Sequence, residues 1–130
     1  MTRKPLVPNQ DIRIEVSTDY LADQSTPEAS RFVFAYHVKI INEGKSKAQL
    51  ISRHWIITDG NDNVQEVKGA GVIGLQPQIE SGSHFEYSSG AVLDTQVGVM
   101  QGSYQMLGEN GEHFDVEIPI FKLAVPNMVH

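Results

Sequence analysis

The chain contains no cysteine. That excludes a disulfide framework, a thiolate metal centre and a cysteine nucleophile. Positive charge is also scarce: ten Lys and Arg stand against 16 Asp and Glu, a net charge of −6. The cations are scattered as Arg3, Lys4, Arg13, Arg31, Lys39, Lys45, Lys47, Arg53, Lys68 and Lys122. Binding to nucleic acid rests on clustered Lys and Arg displacing counterions, so no nucleic-acid partner is expected. A small anion held by one or two cations stays open. No stretch approaches the ~18 apolar residues of a membrane helix. The opening Met-Thr-Arg-Lys-Pro-Leu-Val-Pro-Asn-Gln lacks the apolar core of a secretion signal. No membrane contact and a cytoplasmic location are therefore expected.

Catalytic signatures are missing as well. There is no Walker loop, no G-x-S-x-G elbow and no H-E-x-x-H. His84-Phe85-Glu86 has no downstream cysteine pair to complete a deaminase site. Ser, His and Asp are all present, but a triad is a matter of geometry. The expectation is a protein without enzymatic activity or cofactor.

What the chain does have is β-pattern. Its 130 residues suffice for one domain with a true core. Residues 1–10, with two prolines and no periodicity, read as a flexible tail ahead of a single domain over 11–130. Ile12, Ile14 and Val16 alternate with Arg13, Glu15 and Ser17. The clearest strand runs from Arg31 to Ile41, with Phe32, Phe34, Tyr36, Val38 and Ile40 on one face. Strand-like segments follow at 48–58, 64–68, 85–88 and 99–107. Turn clusters separate them at Asn42-Glu43-Gly44-Lys45 and Asp59–Asn63, and a loop is expected from Gly90 to Gly98. Asn110-Gly111 signals a two-residue hairpin. Phe114, Val116 and Ile118 continue as a strand, Pro119 marks a bulge or an edge, and Phe121, Leu123 and Val125 resume it. Seven to eight short strands with regular turns predict an all-β antiparallel sandwich.

One motif pulls against that pattern. Gly69-Ala70-Gly71-Val72-Ile73-Gly74 has the glycine spacing of a dinucleotide-binding loop. Such a loop must follow a strand and open a helix whose N-terminus meets a pyrophosphate. Here Pro77 and Ser81-Gly82 leave no room for a helix, so the glycines are expected to shape a bulge or tight corner. A nest of exposed amides for a small anion remains an alternative. In Ile51–Ile57, period two puts Ile51, Arg53, Trp55 and Ile57 on one face and Leu50, Ser52, His54 and Ile56 on the other. If Trp55 packs between sheets, Arg53 lies on the inward side and needs a partner at the rim. His84 and Glu86, and His113, Asp115 and Glu117, would form a metal cluster only if their strands were neighbours. No metal site is expected.

Several blocks together resemble the ApaG family, also called CorD. They are Arg31–Tyr36, Leu50–Asp59, Val67–Pro77, Phe85–Gly90, Gly98–Tyr104 and Ile118–Leu123, which in order cover nearly the whole chain from Ile12. The resemblance implies a fibronectin type III-like or immunoglobulin-like sandwich and no established catalytic activity. It implies an association with cobalt resistance and magnesium efflux, and genes often placed beside a diadenosine tetraphosphate hydrolase. Eukaryotic relatives include an F-box protein and a polymerase-delta-interacting protein, which implies protein–protein interaction.

The expected function is thus a binding module for another protein. Its expected surface is Arg53, His54 and Trp55 with Gly69, Gly71, Gly74 and Gln76, and with Tyr87, Ser89 and Tyr104 as neighbours. Trp55 or Tyr104 would be the desolvated anchor, and Arg53 would bond a carboxylate or phosphate. The alternative is a small-ligand sensor for pyrophosphate, dinucleoside polyphosphate or a divalent cation. Monomer and dimer are both compatible with the sequence.

Overall fold

The computed structural model describes residues 11–126; the expected tail at 1–10 and the last four residues of the domain lie outside the described residues. Eight strands follow in order: β1 Ile12–Tyr20, β2 Phe32–Asn42, β3 Ala48–Asp59, β4 Val64–Ala70, β5 Gln78–Ile79, β6 His84–Leu93, β7 Val97–Gly108 and β8 His113–Ala124. Two short 3-10 turns, Ala22–Gln24 and Pro27–Ala29, fill the connection between β1 and β2. Among the described residues no helix is long and apolar enough to cross a membrane.

The strands form two antiparallel sheets. One has the order β1-β2-β6; the other has the order β4-β3-β7-β8, with β5 also pairing to β3. An antiparallel sandwich is what the turn spacing predicts; the strand order is not contained in it. The inward rows of both sheets meet as one core. It holds Phe34, Tyr36, Val38 and Ile40 from β2 and Leu50, Trp55 and Ile57 from β3, with Met100, Tyr104, Met106, Val116, Ile118 and Leu123 from β7 and β8.

Two bulges set the phase of the large sheet. On β3 the register slips between Leu50 and Ser52, leaving Ile51 as the extra residue. A strict period of two assigned Leu50 to the face of His54 and Ile56. The bulge reverses the alternation, so Leu50 and Trp55 are both buried although their numbers differ in parity. On β8 three steps from Ile118 to Phe121 oppose two on β7, so Pro119 sits in a bulge. β8 is also an edge strand. Both features tolerate a residue without an N–H, as its sequence position implied.

Three further expectations are corrected. The stretch 90–98 is not all loop: β6 runs on to Leu93, with Gly90 opposite Ala35. The turn at Asn110-Gly111 spans three residues, because Gly108 N bonds Glu112 O at 2.8 Å while Gly111 takes φ +85. That is the type I turn with a left-handed third residue, the next commonest hairpin after the two-residue form. Finally, Asn42 is more than a turn residue. It is buried, and its Nδ2 donates to the carbonyls of Ser46 and Ile79 at 2.9 Å each, tying three segments at one end of the sandwich.

Candidate functional site

The glycine segment is built onto the β3 bulge. The bulge turns the Ile51 carbonyl outward, where it accepts from Gly71 N at 2.7 Å and Gln76 Nε2 at 2.9 Å. Gln49 Nε2 donates to Gln76 O at 3.1 Å, and Leu50 N to Pro77 O at 3.0 Å. Between these ties the chain makes a separate small hairpin. Val72 and Leu75 exchange both backbone bonds at 2.8 Å. Its two central residues, Ile73 and Gly74, have φ +43 and +78. Positive φ at both positions is the requirement of a type I′ turn.

Val72 is fully buried, whereas Ile73 and Leu75 are 56% and 51% exposed. The hairpin therefore presents two apolar side chains to solvent on a braced base. A β-branched residue at positive φ is a true outlier, since Asn or Gly is the usual occupant.

Arg53 lies on the inward side at the rim, as the alternation required. Its partners are main-chain oxygens: Nη1 donates to Ala70 O at 3.1 Å and Gly71 O at 2.8 Å. The guanidinium lies against Gly69, where a Cβ would come within 2.9 Å of its nitrogens. Arg53 thus clamps the start of the hairpin. The amides of Gly71 and Val72 are likewise engaged by Ile51 and Leu75, and no helix follows the glycines. The spacing that resembles a nucleotide loop makes a corner and a turn.

The rest of the expected surface is dispersed. Trp55 is 2% exposed and ringed edge-on by Tyr36, Tyr104 and Phe121, with centroids 5.3, 6.2 and 5.8 Å away. Tyr104 is fully buried. Neither can anchor a partner, because the inward row of a sandwich strand packs against the opposite sheet. Tyr87 is also buried, its hydroxyl 2.6 Å from that of Tyr104. Burial pushes both phenols well above the ordinary tyrosine range, with the Arg53 charge pulling weakly the other way. Ser89 is exposed on β6, opposite Tyr36 in register. His54 points to the outer face, where its Nε2 meets Glu66 Oε2 at 2.5 Å.

The hydroxyl pair gives a clear expectation. Tyr104→Phe or Tyr87→Phe alone leaves one buried hydroxyl without its partner and should cost about 1–3 kcal/mol. The double variant should lose much less than the sum of the two, read as a double-mutant cycle in denaturant unfolding.

The metal hypothesis fails on topology. His84 and Glu86 are on β6 of the small sheet, and His113, Asp115 and Glu117 are on β8 of the large one. No cluster of three metal-ligating side chains occurs among the described residues. The structure does assemble one group that strand patterns could not show. His37 reaches Ser88 Oγ through Nδ1 at 2.5 Å and Asp19 Oδ2 through Nε2 at 3.0 Å. Three strands contribute, so only the register of β1, β2 and β6 reveals it. This row has the composition of an acyl-transfer triad, yet it lies on an open sheet face. The same hollow is lined by Glu15, Lys39 and Glu86.

An eight-stranded antiparallel sandwich with a braced apolar hairpin defines the class as a β-sandwich domain. The ApaG domain profile matches residues 22–108. Protein ApaG of Thiobacillus denitrificans is 61% identical over 119 residues, 92% of this chain and 94% of the relative. Protein ApaG of Ectopseudomonas mendocina is 57% identical, over 95% of this chain and 98% of the relative. A crystal structure of an ApaA protein from Bordetella pertussis superposes with a TM-score of 0.88 at 50% identity, covering 91% of this chain and 96% of that one. The chain belongs to the ApaG family.

Proposed function

We propose that this chain is a non-enzymatic interaction module of the cytoplasm that binds another protein through the hairpin tip at Ile73 and Leu75. The observation that carries this is Ile73 itself. A β-branched side chain in the left-handed region costs about 1–3 kcal/mol of backbone strain. Asn at that place would relieve the strain at once. Burying the exposed half of Ile73 and of Leu75 against a partner would return about 1 kcal/mol for each side chain. A partner covering the tip would offset that strain. The clamp of Arg53, Gln76 and the Ile51 carbonyl presents the tip in one conformation, which lowers the entropy cost of association.

The setting proposed is the one the family resemblance carries, cobalt resistance and magnesium efflux, with this domain acting as an adaptor. The sensor alternative draws no support from the glycine segment. Arg53 and two of the segment's amides already have partners within the chain.

The test compares wild type with Ile73→Asn and with Leu75→Ser as baits in parallel captures, alongside thermal unfolding. Ile73→Asn should be as stable as wild type or more so, by up to about 1 kcal/mol, and should lose a partner that wild type retains. An unchanged partner set on both tip variants would refute the reading.

A further inference from the structure

A second surface is independent of the hairpin tip: the free edge of β4. β4 pairs only with β3 and ends the large sheet. The other edge of that sheet, β8, is blunted by Pro119 and its bulge. β4 is seven residues of regular strand, Val64-Gln65-Glu66-Val67-Lys68-Gly69-Ala70. The run has no proline and no register shift against β3, and Arg53 engages only its last carbonyl, that of Ala70. Val64 is 64% exposed, a large apolar residue at the start of an unpaired edge.

The charge order of this strand is self-complementary. Consider two copies related by a two-fold axis through Val67 and perpendicular to the sheet. Val67 then faces its own copy, Glu66 faces Lys68, and Gln65 faces Gly69. Val64 comes opposite Ala70, the residue from which the apolar hairpin departs. Moving the axis by one residue sets Glu66 against Glu66 or Lys68 against Lys68. Like charges directly opposite are unfavourable in an antiparallel pair, and opposite charges are favourable. A two-fold contact must be self-complementary, and this strand is so at one register only.

We propose that two copies of this chain associate antiparallel along β4, joining their large sheets, with reciprocal Glu66–Lys68 pairs fixing the register. The contact is narrow: one strand's worth of backbone bonds, two ion pairs and the two Val64–Ala70 contacts. Such an interface falls in the weak, transient class. Within one chain Glu66 already meets His54, and the Lys68 ammonium lies 4.0 Å from the same carboxylate. Both charges therefore stand on the outer face, and the reciprocal pairs would draw Glu66 away from His54 on the neighbouring strand. This inference goes beyond the proposed partner binding, because it uses residues 64–70 and not the hairpin tip.

Sedimentation equilibrium at low salt tests it, with a 14.4 kDa monomer as reference. Wild type should shift toward twice that mass as concentration rises to about 0.5 mM, in keeping with a small interface. Glu66→Lys and Lys68→Glu should each weaken association by on the order of tenfold or more, since each creates two like-charge pairs in the dimer. An equimolar mixture of the two variants should associate again. In the mixed dimer residue 66 of one chain meets residue 68 of the other with opposite sign. Rescue by mixing cannot come from two misfolded variants. A wild type that stays monomeric throughout overturns the inference. So does a mixture no more associated than either variant alone, or a dimer indifferent to both substitutions.

Discussion

Trp55→Ala should lower stability by about 3–5 kcal/mol, as large-to-small changes at fully packed aromatic positions do. For a chain of this size that corresponds to a fall of roughly 10–20 °C in melting temperature. Trp55 is the largest of the fully buried side chains and touches rings from both sheets. Removing it would open a cavity at the centre of the sandwich, lined by Tyr36, Tyr104 and Phe121. Its indole Nε1–H is buried with no hydrogen-bond partner among the described residues. Trp55→Phe removes that unsatisfied donor along with part of the ring volume, so it should be clearly milder than Trp55→Ala. A surface anchor would behave in the opposite way, leaving stability intact and abolishing a contact. Denaturant unfolding of the two variants separates the cases.

Gly71→Ala is the second large effect, expected at about 2–5 kcal/mol. Two contributions add. Gly71 takes φ +63, a region that costs a side-chain-bearing residue roughly 1–2 kcal/mol. A Cβ there would also lie 2.2 Å from the Leu75 carbonyl oxygen. That atom is backbone and already accepts from Val72 N, so the hairpin has to open. Forcing atoms into such a contact typically costs about 1–3 kcal/mol. Gly74→Ala is the control. Its φ is +78, but a Cβ would meet nothing within 4 Å, so only the conformational cost of roughly 1–2 kcal/mol applies. The difference between the two variants isolates the close approach at the base of the hairpin from the turn at its tip.

These expectations also show where the sequence was readable. Alternation in β1 and β2 gave their inward rows directly, because no bulge breaks those strands. The change of parity between Ile118 and Phe121 announced the β8 bulge, and Pro119 marked its place. No comparable residue marks the β3 bulge. Ile51 has no proline or glycine beside it to signal a slip, so Leu50 was assigned to the wrong face. The glycine segment was legible as a corner rather than a phosphate loop, because Pro77 and Ser81-Gly82 cannot sustain a helix. What the glycines could not show is that Ile73 takes a left-handed conformation, since that depends on the Val72–Leu75 pairing.

The candidate surface was only partly readable for a related reason. Arg53, His54 and Trp55 are consecutive, but a strand sends neighbours to opposite faces. One clamps the hairpin, one pairs with Glu66 on the outer face, and one fills the core. The large aromatics that suggest interface hot spots in a sequence are here needed by the core, a competition only packing can decide. The exposed apolar residues that remain are smaller and easily overlooked: Ile73 and Leu75 on either side of Gly74, Val64 after a turn, Val92 on β6 and Ile120 on β8. Asp19, His37 and Ser88 show the same limit, since a row across three strands depends on registers that no local pattern contains.

The most direct measurement of the central claim is site-specific photo-crosslinking in living cells. Leu75→p-benzoylphenylalanine at the hairpin tip is compared with Ile120→p-benzoylphenylalanine on β8, an equally exposed apolar position in the other sheet edge. The hairpin account predicts a discrete adduct to another protein from position 75 and none of that mass from position 120. The same adduct from both positions, or from 120 alone, would contradict it.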